Sequence, residues 1–106
     1  MSRVLVTAGG SGIGAAMAKG FADAGHDVWI TDIDAEAVSN SAFKSSLVDA
    51  SDETAVSTVF NEIQSSWDGL DVLCANAGIA GPTNLVEDVD LVAWRQCVSV
   101  NLEGAV

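Results

Sequence analysis

A glycine-rich stretch between an apolar run and a segment of small residues constrains this chain most strongly. Residues 4–7 read Val-Leu-Val-Thr and predict a buried strand, and the segment from Ala15 predicts a helix. Between them, residues 7–14 read Thr-Ala-Gly-Gly-Ser-Gly-Ile-Gly. A helix N-terminus carries unpaired N–H groups and partial positive charge, and glycines let a ligand approach the backbone. The order strand, glycine turn, helix therefore predicts a corner that binds a pyrophosphate.

The glycine spacing by itself leaves an alternative open. Counted from Gly9, the next glycines fall at Gly12 and Gly14, so the pattern Gly-x-Gly-x-x-Gly is not met. No Gly-Lys-Ser or Gly-Lys-Thr follows, so the P-loop pattern is not met either. On these residues alone, a glycine turn that binds nothing remains possible.

Strand and helix patterns alternate along the rest of the chain, with short links between them. This alternation predicts parallel strands joined by right-handed crossovers, and hence an α/β protein with a doubly wound sheet and helices on both faces. There is no repeat or linker, and 106 residues suit one domain. The predicted strands cover residues 4–7, 28–31, 46–48 and 72–75. The predicted helices run from about Gly12 to Ala24, from Asp34 to about Asn40, from Ser51 and Asp52 through Trp67, and from Asp90 through Leu102.

Several side chains give these helices their ends and faces. Asp34 and Asp90 are expected to cap the second and last helices, and Ser51 and Asp52 to open the third. Apolar residues at helical spacing predict one buried face on each of the first and last helices. They are Ile13, Met17, Phe21 and Ala24 in the first helix, and Leu91, Trp94, Val98 and Leu102 in the last.

Ligands of open parallel sheets bind beyond the carboxyl ends of the strands, and Asp32 ends the second strand there. It lies eighteen positions after Gly14, close to the spacing at which an acidic residue binds the ribose hydroxyls of a dinucleotide. A carboxylate repels a 2′-phosphate, and no Arg or Lys stands in the loop or just after Asp32. The predicted cofactor is NAD(H) rather than NADP(H). The alternative is an aspartate that only caps a turn.

Three motifs together resemble the short-chain dehydrogenase/reductase family. Thr7, Gly12 and Gly14 match the family pattern Thr-Gly-x-x-x-Gly-x-Gly, with Ala8 at its first glycine. Residues 76–78 match the end of Asn-Asn-Ala-Gly, with Ala75 at its first Asn, and residues 94–104 resemble the segment that carries the catalytic asparagine. Alanine is tolerable at position 8 if its φ is negative.

The resemblance implies a Rossmann-like sheet in strand order 3-2-1-4 and assigns roles to individual residues. Asn101 would be catalytic and help to hold a water in a proton relay, or else be a plain polar residue of an amphipathic helix. Asp49 would contact the adenine edge, or else only lead into a helix. The implied cofactor-binding residues are Gly9, Ser11, Gly12, Ile13, Gly14, Asp32, Asp49, Ala50, Asn76, Ala77 and Gly78.

The same resemblance limits the activity expected of this chain. Family chemistry uses a Ser and a Tyr-x-x-x-Lys downstream of the asparagine, but the chain has no tyrosine and ends at residue 106. Residues 1–106 are thus expected to be the dinucleotide-binding half of an oxidoreductase for alcohol or carbonyl substrates, inactive alone. The alternative is a stand-alone nucleotide-binding or structural module.

Charge and composition bear on partners and location. With 15 acidic and 4 basic residues the net charge is −11, which disfavours nucleic acid and anionic membranes as partners. His26 is the only histidine, Cys74 and Cys97 are expected to be reduced core residues, and no metal site is expected. A cytoplasmic location is the default. Strand four lies at a sheet edge, so self-association through that strand or the last helix is expected. The alternative is a monomer whose last helix folds over that edge.

Overall fold

A computed structural model describes all residues, 1–106. Four parallel strands form one sheet in the order β3-β2-β1-β4, which confirms the predicted fold class and strand order. The strands are β1 (Arg3–Thr7), β2 (Asp27–Asp32), β3 (Lys44–Leu47) and β4 (Val72–Cys74). The helices are α1 (Gly12–Asp23), α2 (Ala35–Asn40), α3 (Glu53–Trp67) and α4 (Leu91–Asn101), with short 3₁₀ turns at Val86–Asp88 and Glu103–Ala105.

Helices cover both faces of the sheet, as predicted. Alternate residues of a strand point to opposite faces, so β1 and β2 supply two separate cores. Val4, Val6 and Ile30 pack with Ala18 of α1 on one face. On the other face, Leu5 and Trp29 pack with Val48 and with Val59 and Ile63 of α3. The last five residues of β2 are all buried, as expected for a central parallel strand.

Aspartates begin three of the helices, and all three were expected at these positions. The Asp34 carboxylate accepts a hydrogen bond from the backbone N–H of the second helical residue of α2, and Asp90 does the same for α4. Asp52 accepts from two such N–H groups of α3. Each carboxylate satisfies a backbone donor that has no partner within its helix and carries negative charge where the helix dipole favours it.

All four strands differ in extent from their predicted bounds. Strand β1 begins one residue earlier than predicted, and β2 is one residue longer at each end. Strand β3 begins at Lys44 and ends at Leu47, because the polar Ser45 and Ser46 pair with the β2 backbone. Ladder pairing needs backbone groups and not apolar side chains, which is why a hydrophobic pattern placed the strand two residues too late. Strand β4 ends at Cys74 and excludes Ala75.

The predicted face of α1 is correct for two of its four residues, and the predicted burial of the α4 face is wrong. In α1 the side toward the sheet is formed by Gly14 and Ala18, with Met17 and Phe21 beside them, whereas Ile13 is 76% exposed and Ala24 is exposed. The small residues allow close contact with the sheet, which turns Ile13 outward.

In α4 no residue is buried, although its apolar stripe was expected to be. Leu91, Trp94 and Leu102 are each half exposed or more. Helical periodicity tells which side of a helix is apolar, but it does not tell whether another element covers that side.

No helix of the structure is long and apolar enough to cross a lipid bilayer.

Candidate functional site

The glycine turn leaves the carboxyl end of β1 through an alanine in the left-handed region. Ala8 has φ of +52°, so the condition under which alanine is tolerable there, a negative φ, is not met. A non-glycine residue there costs roughly 1–2 kcal/mol, because its Cβ crowds the following carbonyl. The turn demands this conformation in order to bring the Ala8 carbonyl back against the first turn of α1. The alanine therefore carries strain that glycine would avoid.

Three glycines allow the close packing of this corner because they have no Cβ. A Cβ on Gly9 would lie 2.7 Å from Ile30 Cγ2, and one on Gly10 would lie 2.8 Å from Asp32 Oδ2. A Cβ on Gly14 would collide with the Ala8 carbonyl and lie 2.8 Å from the Asn76 side-chain amide. The turn, β2 and the segment after β4 thus meet with no room for side chains. This close backbone packing is what a corner that holds pyrophosphate on backbone amides requires.

Asp32 joins the glycine turn to the end of β2. Only 9% of Asp32 is exposed, and its two carboxylate oxygens accept one backbone N–H each, Oδ2 from Gly10 and Oδ1 from Asp34, both at 3.0 Å. Each oxygen of a carboxylate accepts about two hydrogen bonds, so acceptor capacity remains for the hydroxyls of a sugar. Sequence reasoning expected the aspartate but missed its bond to Gly10.

Asp49 follows β3 and forms a local turn with Ser51. Its Oδ1 accepts both the Ser51 N–H at 2.9 Å and the Ser51 hydroxyl at 2.7 Å. The hydroxyl bond, followed by the backbone bond, holds the pKa of Asp49 below its usual value. Its Oδ2 has no donor within the protein. The carboxylate therefore shapes the entry to α3 and also keeps one oxygen available for a ligand.

Thr7 ties the end of β1 to the segment after β4. Its hydroxyl donates to the Cys74 carbonyl at 3.3 Å and accepts the N–H groups of Asn76 at 2.8 Å and Ala77 at 3.0 Å. The Asn76 amide in turn donates to the Thr7 carbonyl at 3.2 Å. Asn76 therefore bonds to the β1 backbone. The sequence pattern contained Thr7 without indicating this role.

Asn101 clamps the same segment to α4. Its Oδ1 accepts the Ile79 N–H at 2.7 Å, and its Nδ2 donates to the Ile79 carbonyl at 2.9 Å and to Cys97 Sγ at 3.2 Å. An asparagine amide suits this position because it donates and accepts at once. Cys74 and Cys97 are half-buried free thiols, and Cys74 packs against the core on the α1 side of the sheet.

A cleft of about 140 Å³ at the carboxyl edge of the sheet brings five of the predicted cofactor residues together. These five are Asp32, Asp49, Ala50, Ala77 and Gly78. Eight further lining residues were not predicted as site residues: Ala8, Thr31, Ile33, Val48, Ser51, Ile79, Gln96 and Val100. The last two stand one helical turn apart on α4, and this spacing is the one sequence signal that places them on a common face.

The remaining predicted residues lie around this cleft. Gly9 lines a neighbouring groove against α2, and Ser11, Gly12 and Ile13 are exposed at the start of α1. Asn76 and Asn101 hold the loop that forms one wall. A larger cleft of about 540 Å³ lies between β3 and α3, away from the strand ends, and contains none of the predicted residues.

The parallel order β3-β2-β1-β4 and the glycine turn between β1 and α1 define a Rossmann-like α/β protein. The family model described as short chain dehydrogenase matches residues 2–106. The chain therefore belongs to the short-chain dehydrogenase family.

Individual relatives agree with this assignment. The chain is 35% identical to cis-4-hydroxycyclohexanecarboxylate dehydrogenase of Sinomonas cyclohexanicum, with 94% of the chain and 43% of that protein aligned. It is 37% identical to short-chain dehydrogenase reductase 5 of Arabidopsis thaliana, with 96% and 42% aligned. The chain thus spans about two fifths of the length of these relatives.

Solved structures share the fold over nearly the whole chain. Levodione reductase superposes with a TM-score of 0.91 at 28% identity, over 98% of this chain and 45% of that one. The 3-ketoacyl-(acyl-carrier-protein) reductase of Brucella melitensis, whose structure is complexed with NADH, gives a TM-score of 0.89 at 31% identity, over 97% and 45%.

Proposed function

We propose that residues 1–106 form the NAD(H)-binding portion of an oxidoreductase that acts on alcohol or carbonyl substrates. One observation carries the proposal: the cleft at the carboxyl ends of the strands joins Asp32 and Asp49 to the backbone of the glycine turn and of the loop after β4. Family membership and the relative complexed with NADH support it. When bound, the nicotinamide supplies hydride transfer.

In this proposal each group of residues holds one part of the dinucleotide. The backbone N–H groups at the start of α1 take the pyrophosphate, since no basic side chain lines the cleft. Asp32 takes the ribose hydroxyls, and Asp49 with Ala50 takes the adenine. Ala77, whose N–H donates to Thr7, and Gly78, which precedes the Ile79 held by Asn101, lie beside the nicotinamide ribose in this proposal.

The proposal assigns NADH rather than NADPH because Asp32 would face a 2′-phosphate with no cation to neutralise it. Three of the four basic residues are engaged elsewhere. Arg3 pairs with Asp71 and Lys19 with Asp23, while Lys44 lies over the Trp29 ring.

Calorimetric titration of the chain with NADH and NADPH tests this assignment, and tighter binding of NADH is expected. Asp32→Asn removes the charge and keeps one acceptor for the backbone, so it should narrow the preference, as should Asp32→Ala. Asp27→Ala, at the opposite end of β2, is the matched control and should not change it. NADPH binding that equals or exceeds NADH binding in the unmodified chain contradicts the assignment.

The proposal also holds that these 106 residues do not turn over substrate alone. The chain contains no tyrosine that could act as the general acid and base of family chemistry. Purified chain of verified mass, assayed with NAD(H) and simple alcohols and ketones, should show no turnover. Reproducible turnover would reveal another proton donor in the cleft.

We further propose that the chain self-associates through β4 or α4. Leu73 of β4 is 50% exposed on a strand whose outer edge is unpaired, and Trp94 of α4 is equally exposed. Light scattering across a dilution series should show a mass above 10.8 kDa that Leu73→Lys lowers. Leu47→Lys, on the opposite edge strand, is the control. A 10.8 kDa species at high concentration would refute the proposal.

A further inference from the structure

Gln96 stands on the α4 side of the cleft with no role inside the protein. It is the only side-chain amide among the lining residues, and Val100 lies one helical turn away in the same wall. The α4 side-chain amide that makes hydrogen bonds within the protein is that of Asn101 and not that of Gln96. The amide donor and the amide acceptor of Gln96 are therefore both available to a ligand in the cleft.

Asp49 lines the same cleft and presents a different chemistry. One oxygen is saturated by the two bonds from Ser51, and the other oxygen has no protein donor. These bonds favour the ionised form of Asp49, and an ionised carboxylate only accepts hydrogen bonds. Asp49 alone thus recognises a donor on a ligand but cannot serve a ligand acceptor.

Apolar residues make up seven of the 13 residues that line the cleft: Ala8, Ile33, Val48, Ala50, Ala77, Ile79 and Val100. An apolar cleft with a few polar side chains suits a heteroaromatic base, which needs apolar contact on its faces and hydrogen bonds at its edge.

The edge of adenine carries an amino donor beside a ring-nitrogen acceptor, and a side-chain amide matches such a pair by accepting from one and donating to the other. On the premise of the proposed function, we propose that Gln96 determines the base specificity of the cleft by binding this edge of the adenine. Hypoxanthine has a carbonyl oxygen in place of the amino group. Its carbonyl oxygen and its N7 are both acceptors, so the Gln96 oxygen finds no donor at this edge and only one of the two hydrogen bonds can form.

The test measures binding of two reduced dinucleotides, NADH and its hypoxanthine analogue, by calorimetry. The unmodified chain should prefer NADH. Gln96→Leu removes both hydrogen-bonding groups at similar size and should weaken NADH binding about tenfold, because a bidentate contact of this kind is worth roughly 1–3 kcal/mol. Binding of the analogue should change less than about twofold, so the preference should fall by nearly the same tenfold factor.

Gln64→Leu is the matched control, since it removes an amide on α3 that bonds only to Asp68 outside the cleft. Gln96→Ala provides a second variant, and the urea midpoint of each variant verifies its folding. An unchanged preference, or equal loss of both dinucleotides, overturns this inference and leaves the proposed function intact. If the unmodified chain binds neither dinucleotide, the proposed function fails and the inference fails with it.

Discussion

The first two thirds of the chain and the last third are built in different ways. All 14 buried residues lie between Val4 and Ile63, and none lies in residues 72–106. In the first region, β1 and β2 are paired on both sides and covered by helices on both faces. In the last region, β4 pairs through three residues on one side only, and α4 leaves its apolar stripe exposed.

Polar contacts hold the last third to the first, beside the pairing of β4 with β1 and the packing of Val72 and Cys74 against the core. Thr7 with Asn76, and Arg3 with Asp71, bridge β1 to the segments on either side of β4, and Asn101 fixes the loop beyond it. The candidate site lies where the packed core of the first region meets the loop after β4, which hydrogen bonds hold in place. Four predictions test how strongly the two regions differ.

The largest difference is expected from one substitution made in both regions. Leu5→Ala, at 1% exposure, should lower the free energy of unfolding by about 2–5 kcal/mol, since it removes buried methyl groups and leaves a cavity. Leu91→Ala, at 57% exposure, should lower it by less than about 1 kcal/mol. Urea unfolding followed by circular dichroism measures both. Similar losses would show that α4 is as well packed as the core.

Helix capping provides a second comparison. Asp52 accepts from the N–H groups of Thr54 at 3.0 Å and Ala55 at 3.2 Å at the start of α3, so Asp52→Ala should cost about 1 kcal/mol of global stability. Asp90 caps α4 in the same manner. Asp90→Ala should fray α4 with a smaller effect on the global transition, because α4 contributes no buried residue. Equal urea midpoints for the two variants would contradict this difference.

A smaller gain is expected from relieving the strain at Ala8. Glycine adopts φ of +52° without a Cβ clash but loses more backbone entropy on folding, so Ala8→Gly should stabilise by about 0.5–1 kcal/mol. Ala15→Gly, in the regular part of α1, should destabilise by roughly 1 kcal/mol and serves as the control. A destabilising Ala8→Gly would mean that the left-handed conformation is not adopted in solution.

The smallest expected effect is the pH dependence of the Arg3–Asp71 pair. The hydrogen bonds from Arg3 lower the pKa of Asp71 to about 2, below the value of about 3.9 expected in the unfolded chain. A carboxyl group whose pKa is lowered in the folded state stabilises the fold at pH values above its pKa in the unfolded chain. This stabilisation is lost as the pH falls from about 4 to about 2.

Asp71→Asn therefore tests the pair through its pH profile. The difference between its urea midpoint and that of the unmodified chain should be present at pH 6 and shrink toward pH 2. The pair is exposed, so the difference should be small and fall with added salt. A difference that does not change with pH would assign the effect of Asp71 to something other than its charge.

Agreement between sequence and structure is best where the physics is local. Alternating strand and helix patterns predicted the element order, and aspartates at Asp34, Asp52 and Asp90 begin helices because capping involves only the next few residues. Strand β3 was misplaced because its serines pair through the backbone. The side of α1 that faces the sheet was predicted only in part, because Gly14 and Ala18 carry little apolar signal.

The sequence by itself determined an α/β chain with a glycine turn between β1 and α1, an acidic residue at the end of β2 and another just after β3, since these depend on periodicity and turn chemistry. Only the tertiary structure decided the positive φ of Ala8, the exposure of α4 and the place of Gln96 in the cleft. Each of these depends on which segments, distant in the sequence, pack against one another. No local pattern encodes that packing, because it is fixed by the arrangement of the whole sheet.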